Sequence, residues 1–582
     1  MELERLTTET QEPETVEKPE SSGFFRKLSG YCQKFVYDYS WVMLLAATIL
    51  IVAYYVWFPS RAHFHSDTTD TLMWAQATYD AGELFNKDFS YACLLPFSTS
   101  LIMTALIPLF GVSMTTHVLG MLIFFLLFTA ALIWLLRGLG WSWKWVSFGV
   151  FTELMLLSGS EKLREIFWGH TIYYSIGVLF LFVGLGMLFR WMDADGQPAS
   201  PKNKRRLPLL NILLGIWFVL TCMNQLNSMT IFALPVMAAV FLERFLDAKT
   251  PLCSRKNCRT LCLLVIMCAG MILGYYLTVV LSDGIHASYA EAHSTFSSMS
   301  EWIFHLEKFP EHWFSLLGVT AEDNDPLLSA KSIVNLLMIV VSLVLLILPL
   351  VGLCNYSRIE DGKLRLLILT YWCMTALIML GYVCGMLSSA NWRLSPIMAM
   401  AALVSAAVVH WAVGRVQLQR VAAVMMIPVV IVCTMNAVTI LKMPANGYKD
   451  AELYRLADEL KKRGLDYGYA TFWQANALTV ISDSEVKCRN VTIDEDGIRP
   501  YVYQSNENWF NDQPGQEKYF LLLTKEEHTQ LRVSGDPILN LAHVESELFD
   551  FCLWVFQENI FEEEKEELPE DLEETIRAGH GE

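Results

Sequence analysis

The sequence predicts an all-α polytopic membrane domain of about eleven transmembrane helices, with a long first outer loop, followed by a small C-terminal extracytoplasmic α/β domain. Three observations support this class. Apolar residues make up 54% of the 582 positions, apolar runs of nearly 20 residues recur up to residue 441, and shorter alternating segments follow them. Because a helix needs about 20 apolar residues to cross a bilayer, the recurring runs indicate a multi-pass membrane protein.

The chain divides into four parts. They are an acidic, mostly disordered cytoplasmic N-terminus at 1–35, the membrane domain at 36–441, the α/β domain at 442–560 and an acidic disordered tail at 561–582. The net charge of −17 is concentrated at the two ends: residues 1–20 carry seven acids and two bases, and residues 562–582 carry ten acids and two bases. Charge in such tails says little about partners, and no basic face or motif predicts a nucleic-acid partner.

Eleven apolar runs are predicted to cross the membrane. In chain order they cover residues 41–58, 117–136, 143–158, 168–190, 207–223, 228–243, 260–281, 332–353, 366–387, 394–413 and 421–441. A further run, "LPFSTSLIMTALIPLF" at 95–110, is short and is bracketed by Pro96 and Pro108. We expect this run to form a helix that lies at the outer interface without crossing.

The distribution of lysine and arginine sets the orientation of these spans. Counted from Arg26, the segments expected inside hold 20 lysines and arginines, many more than the outer loops. Positive residues favour cytoplasmic loops, and the charges alternate correctly only if 95–110 does not span. The sequence therefore predicts a multi-pass plasma membrane protein with a cytoplasmic N-terminus and an extracytoplasmic C-terminal domain.

The segment after residue 441 has the pattern of a small soluble domain. A helix is predicted at "DAELYRLADELKKRG", and strands at runs such as "YGYATF", "VKCRNVTI", "KYFLLLT" and "FDFCLWVF". It contains Cys488 and Cys552, and the sequence leaves open whether they pair. No nucleotide-binding glycine loop or catalytic triad is recognisable in it.

Polar residues of the membrane domain gather at the outer ends of the predicted spans. A charge at mid-membrane costs about 2.5–3.5 kcal/mol on insertion scales, so its placement is informative. The stretches "HSDTTD", "SGSEKLREIFWGH" and "SSANWRLSP" supply the candidate residues Asp67, Asp70, Glu161, Arg164, His170, Asn391 and Arg393. One face of the membrane domain is therefore equipped for chemistry.

These candidates also have purely structural explanations. Asp67 and Asp70 stand where they can cap the helix predicted at "TLMWAQATYDAG". Glu161 and Arg164 are three residues apart and can pair on a helix surface. A cation such as Arg393 at a helix end can extend to the membrane interface.

The stretch "HFHSD" also fits a metal-ligand pattern. In an extended chain His63, His65 and Asp67 project from one face, which makes a divalent metal a possible cofactor. A histidine beside a membrane is more often simply interfacial, and His170 at the start of a span fits either a packed core or a site. No other cofactor is expected.

The long first outer loop resembles that of the GT-C superfamily of membrane glycosyltransferases. The resemblance rests on "HSDTTDTLMWAQATYDAGELFNKDFSYACLLPF", whose "D…WA…G" opening and "DFSY…LPF" continuation are similar to bacterial protein-mannosyltransferase-like and RgtA/B/C/D-like enzymes. The order of first span, interfacial helix, further spans and outer domain is similar too. The adjacent acidic pair of many relatives is absent, since "DTTD" spaces its acids by three. The tryptophan-rich acceptor signature of oligosaccharyltransferases is also missing.

The resemblance implies a hexosyltransferase that uses a polyprenyl-phosphate-linked sugar and an extracytoplasmic glycan, lipid or protein acceptor. It places Asp67 as the catalytic general base, with Asp70 in a shared role. A positioned carboxylate in that role contributes roughly 10²–10⁴-fold to the rate. Cations must hold the departing phosphate. The substrate-binding candidates are Arg393, Arg164, His170, Glu161, Asn391 and Trp473.

Two other functions remain open from the sequence. A lipid-linked glycan flippase or transporter usually shows internal repeats and charges at mid-membrane, neither of which is found here. An O-antigen-type polymerase or ligase shares the lipid-linked substrate but favours an arginine-rich outer loop over an aspartate in the first one.

Overall fold

The computed structural model describes residues 21–196, 201–245, 254–287, 295–320, 326, 328–385 and 390–561. The tails expected to be disordered lie outside these residues, except for the part from residue 21. There the first helix, α1, runs Ser21–Trp57, so residues 21–35 are helical where disorder was expected.

The protein is a multi-pass membrane protein. Its described part contains ten helical segments that are long and apolar enough to cross a bilayer. They are Asp38–Trp57 of α1, α4 (Met114–Gly138), α7 (Tyr173–Gly196), α8 (Pro201–Cys222), the run Gln225–Phe245 formed by α9 (Gln225–Ser228), a π turn and α10 (Leu234–Phe245), α11 (Arg255–Leu281), α13 (Ala330–Cys354), α14 (Gly362–Cys384), α15 (Ser395–Val413) and α16 (Gln419–Lys442).

The predicted span at 143–158 differs from the others. It corresponds to α5, Trp143–Leu156, which has 14 residues and therefore rises only about 21 Å against a hydrocarbon core of about 30 Å. α5 packs between α1 and α16 inside the bundle. A short turn of helix, α6 (Glu161–Arg164), follows it. The count of eleven spans stays a prediction.

The first outer loop contains two helices, α2 (Ser66–Ala81) and α3 (Thr99–Phe110). α3 has 12 residues and so rises about 18 Å, too little to cross a bilayer. It packs against α2 and α4, while Leu109 and Phe110 at its end are exposed. The run 95–110 therefore does not span, as the sequence predicted. A third outer helix, α12 (Met299–Leu316), lies between α11 and α13.

Helices α8 and α11 approach each other closely because glycines face the contact. A Cβ atom on Gly274 would lie 2.2 Å from the carbonyl oxygen of Val219, and one on Gly270 would lie 2.8 Å from that of Gly215. Small residues at such contacts allow two membrane helices to pack backbone against backbone.

The chain after α16 forms a six-stranded mixed sheet. Its strands are β2 (Tyr467–Thr471), β3 (Lys487–Asp494), β4 (Gly497–Pro500), β6 (Tyr519–Thr524), β7 (Val544–Leu548) and β8 (Phe551–Phe556), in the order β4-β3-β2-β6-β8-β7. β2 is parallel to β3 and β6, and the other pairs are antiparallel. The sheet carries α17 (Glu452–Lys462), α18 (Phe472–Ile481) and α19 (Lys525–Ser534).

The two cysteines of this domain do not pair. Cys488 on β3 and Cys552 on β8 are both free and buried. They are three strands apart in the sheet, and their side chains enter the cores on its two opposite faces. At about 4.8 Å per strand, no disulfide can bridge that distance.

The sheet domain docks on the first outer loop. β1 (Phe89–Ser90) and β5 (Ser505–Asn506) form a two-stranded antiparallel ladder between the two regions. The indole Nε1 of Trp74 on α2 donates to Gln504 Oε1 at 2.6 Å, and the backbone N–H of Gln504 donates to Ser90 at 3.0 Å. α2 is therefore held between the membrane bundle and the sheet domain.

Candidate functional site

The site is built around the first turn of α2. His65 is the N-cap residue, and its backbone N–H donates to Thr68 Oγ1 at 3.1 Å. Asp67 is thus inside the first helical turn, where the positive end of the helix dipole favours a carboxylate. Asp70 lies one turn further on. The capping explanation for the two aspartates does not hold, since neither caps the helix.

The two carboxylates have different surroundings. Asp67 is partly exposed, and within the described part of the chain no hydrogen bond or ion pair reaches its carboxylate. Asp70 is 7% exposed and faces His170, which is equally buried. The distance between Asp70 Oδ2 and His170 Nε2 is 3.2 Å. One carboxylate is therefore open to a ligand and the other is engaged.

Asp70 and His170 influence each other's protonation. Burial raises the pKa of Asp70 although His170 opposes the shift. Burial also disfavours the imidazolium, but the hydrogen bond and charge of Asp70, with smaller effects from Asp67 and Glu165, outweigh it and raise the pKa of His170. The buried pair therefore binds a proton more tightly than its members do in water.

The turn between α5 and α7 closes one side of the site. Ser160 caps α6 by accepting from the N–H of Leu163. Glu161 Oε1 lies 3.0 Å from His63 Nδ1, so Glu161 pairs with the first outer loop and not with Arg164.

Glu165, on the same turn, also contacts the first outer loop. Its Oε2 is 2.7 Å from Lys162 Nζ, and its Oε1 is 3.9 Å from His65 Nε2. Burial opposes ionisation of Glu165, but its interactions with His65 and Lys162 prevail and lower its pKa to about 2. Sequence reasoning did not select Glu165 or Lys162, although their spacing of three on "EKLRE" signals a helical ion pair.

Arg164 is buried in the wall of the bundle. Its Nη1 donates to the carbonyl oxygen of Ser158 at 3.0 Å, and its guanidinium lies 5.5 Å from the ring centre of Tyr55. Nε of Arg164 has no partner among the described residues. The structure therefore places Arg164 beneath the turn and not beside Asp67.

The residues at the start of α15 form the opposite side of the site. A 3₁₀ turn, Asn391–Leu394, precedes this helix. Asn391 Nδ2 donates to Ser315 Oγ on α12 at 3.2 Å, and the Lys162 ammonium lies 5.0 Å from the ring centre of Trp392. The turn is thus tied both to α12 and to the α5–α7 connection.

Tyr173 and Cys93 interact with each other and connect Arg393 to Asp70 electrostatically. The guanidinium of Arg393 acts electrostatically on the Tyr173 hydroxyl, which also interacts with the Cys93 thiol. Burial and the Asp70 carboxylate both raise the pKa of Cys93, so its thiol stays protonated. Sequence reasoning missed Tyr173 and Cys93, for which only the "HTIYY" stretch after His170 gave a signal.

Trp473 lies apart from this group. It is on α18 of the sheet domain, 58% exposed, with its ring centre 5.4 Å from that of Phe472. No ring contact or hydrogen bond within the described residues connects it to Asp67 or His170.

The possible metal ligands do not converge. Residues Pro59–His63 form a 3₁₀ turn and α2 begins at Ser66, so His63, His65 and Asp67 do not share one face of an extended chain. The described residues contain no group of three or more His, Cys, Asp or Glu placed to hold a metal ion. The two histidines and their glutamate partners line a cavity of about 40 Å³ instead. The expected ligand set does not fit a metal in this arrangement.

Comparison with solved structures places the fold. No protein-family model and no curated protein sequence matches the chain. The crystal structure of ArnT from Cupriavidus metallidurans bound to undecaprenyl phosphate aligns with a TM-score of 0.50 at 11% identity, covering 89% of this chain and 98% of that one. The chain has the GT-C fold.

Two archaeal structures align with lower scores. The Archaeoglobus fulgidus oligosaccharyltransferase in complex with Zn and sulfate has a TM-score of 0.48 at 12% identity, with 76% of this chain and 62% of that one covered. The chain thus spans about three-fifths of that protein's length. AglB of the same organism, in complex with an inhibitory peptide and a dolichol-phosphate, has a TM-score of 0.46 at 10% identity.

Proposed function

We propose that the protein is an integral-membrane glycosyltransferase. It moves a sugar, a hexose in the simplest case, from a polyprenyl-phosphate carrier to a hydroxyl of an extracytoplasmic glycan, lipid or protein. The observation that carries the proposal is the partly exposed, unpaired Asp67 carboxylate beside the buried Asp70–His170 pair, directly after the first membrane helix of a GT-C fold.

Asp67 acts as the general base. Its carboxylate takes the proton from the acceptor hydroxyl while the hydroxyl oxygen forms a bond to the anomeric carbon of the donor. The bond between that carbon and the phosphate oxygen breaks, and its electron pair leaves with the lipid phosphate. Direct attack of this kind inverts the anomeric centre.

Asp70 and His170 keep the base ready. Because the Asp70 carboxylate is engaged with His170, it stays close to Asp67 without competing for the proton of the acceptor hydroxyl.

Arg393 holds the leaving phosphate. Its guanidinium has no carboxylate partner within the described residues and lies on the Tyr173 side of the Asp70 cluster. A fork of donors at this position neutralises the charge that develops on the phosphate. Asn391 fixes the turn that carries Arg393 against α12, and Glu161 and Arg164 hold the facing turn. Trp473 is assigned to acceptor binding from the sheet domain.

The test is Asp67→Asn in the full-length protein, reconstituted with undecaprenyl-phosphate hexoses and a pool of membrane acceptors. We expect the rate of sugar transfer to fall by roughly 10²–10⁴-fold, because amide cannot accept the proton. Glu83→Gln removes an exposed carboxylate from the same loop and serves as the matched control.

Full activity of Asp67→Asn would overturn the assignment of the base. Equal losses in both variants would show only that the loop is sensitive to charge, which contradicts the specific role of Asp67. Lost movement of a labelled lipid across the bilayer, without any transfer in the unmodified protein, would favour a flippase.

A further inference from the structure

A second polar cavity lies at the far end of the bundle. It has a volume of about 160 Å³ and is formed where α7 and α10 end and α11 begins, with Leu366 of α14 in its wall. Along α7 the cavity residue Asp195 is 22 positions beyond Tyr173, which corresponds to about 33 Å. The cavity is therefore separate from the site around Asp67.

The acidic groups of the cavity are already neutralised. Asp195 Oδ1 lies 2.8 Å from Arg259 Nη1, and Glu243 Oε1 lies 2.9 Å from Arg365 Nη2. Each carboxylate thus has its own arginine, and neither demands a further cation.

Two cations of the cavity are left without an anion. Arg244 donates through Nε to Asn257 Oδ1 at 2.8 Å, but its Nη2 is buried without a hydrogen-bond partner. Lys256 also lines the cavity, and no carboxylate of the described residues lies within ion-pair distance of either side chain. A buried donor without an acceptor is costly, so this end of the cavity is suited to an anion.

Four aliphatic side chains also line the cavity. Leu188, Val240, Leu263 and Leu366 form its walls. Outside it, Phe241 on α10 and Leu261 and Val265 on α11 are exposed on membrane-spanning segments. A ligand with a charged head and apolar chains matches both parts.

We propose that this cavity binds the phosphate head group of an anionic phospholipid in the leaflet opposite to the Asp67 site. The guanidinium of Arg244 donates to the phosphate oxygens, and Lys256 adds a second positive charge at the entrance. The acyl chains continue along the exposed faces of α10 and α11.

Native mass spectrometry of the full-length protein in detergent, with phosphatidylglycerol or phosphatidylcholine as the probe, tests this site. We expect retention of phosphatidylglycerol by the unmodified protein. In the double variant Arg244→Gln, Lys256→Gln its affinity should fall by up to roughly thirtyfold, because each cation near a bilayer surface contributes about fivefold. Phosphatidylcholine binding should change little.

Arg420→Gln is the matched control, since Arg420 is an exposed cation in the first turn of α16 at the same end of the bundle. Unchanged phosphatidylglycerol retention in the double variant, or an equal loss in the control, would overturn the proposal. So would glycerol 3-phosphate binding as tightly as the lipid, which would indicate a soluble ligand. Lys256→Gln alone, at an exposed side chain, gives the same comparison if the double variant does not fold.

Discussion

Two carboxylates three positions apart on α2 have different surroundings. Asp67 is open and unpaired, whereas Asp70 is buried against His170 at 3.2 Å. Side chains three positions apart lie on the same side of a helix, so their different burial depends on the residues that pack against each of them. The protonation of the buried Asp70–His170 pair can therefore be measured through its effect on the stability of the protein.

Stability should fall with rising pH because of this pair. The pKa values of Asp70 and His170 are both raised, so the folded protein binds more protons than the unfolded chain, and its stability decreases as pH rises. For His170 the loss begins near the ordinary pKa of about 6.5 and ends at the raised value.

We expect His170→Gln to flatten the dependence of Tm on pH above the ordinary histidine pKa of about 6.5. His543→Gln, which removes an exposed imidazole from the sheet domain, should leave the slope as it is. A wild-type slope in His170→Gln would show that the pair does not carry the pH dependence.

At the scale of elements, α2 depends on a partner from another domain. Trp74 donates to Gln504, whose own backbone has a positive φ of 53°. A residue without glycine's freedom adopts this conformation only where its surroundings hold it. The contact thus fixes both the loop before β5 and the helix that carries Asp67.

Trp74→Phe should lower the free energy of unfolding by about 1–3 kcal/mol, because it leaves the buried Gln504 Oε1 without its donor. Thermal unfolding of the purified variant measures the effect. Trp473→Phe, at an exposed ring, should leave Tm unchanged. If both variants behave alike, the Trp74–Gln504 contact does not stabilise the docked domain.

The close contact between helices α8 and α11 leads to a second prediction about the elements. Gly274→Ala places a methyl group 2.2 Å from the carbonyl oxygen of Val219 and should cost about 1–3 kcal/mol, as overpacking does. Gly381→Ala is the control, since a Cβ atom there meets nothing within 4 Å and alanine favours a helix. A harmless Gly274→Ala would show that the two helices separate at little cost.

For the whole molecule, hydropathy and charge predicted the framework better than the site. The two prolines around 95–110 and the shortness of that run correctly indicated a helix that does not cross. The contact of Asp70 with His170 spans 100 positions and depends on how α2 lies against the turn that precedes α7, which no local pattern encodes. The same-face geometry expected of His63, His65 and Asp67 failed because the chain turns from 3₁₀ to α-helix within these residues.

The final prediction concerns the orientation of the molecule in the membrane. If the C-terminal domain is extracytoplasmic, Lys525→Cys on α19 should react with a membrane-impermeant maleimide in intact cells, because Lys525 is exposed. The native Cys258 and Cys262 at the start of α11, also exposed, should react only after permeabilisation. Labelling in the reverse order would invert the topology.

The contact between Trp74 and Gln504 joins positions 430 residues apart, and this has a consequence for biosynthesis. The last membrane helix ends before Gln504 in the chain, so the contact that holds α2 against the sheet domain forms only after every membrane helix has been synthesised. The chain can therefore be fully inserted in the membrane before the contact that holds the helix of Asp67 has formed.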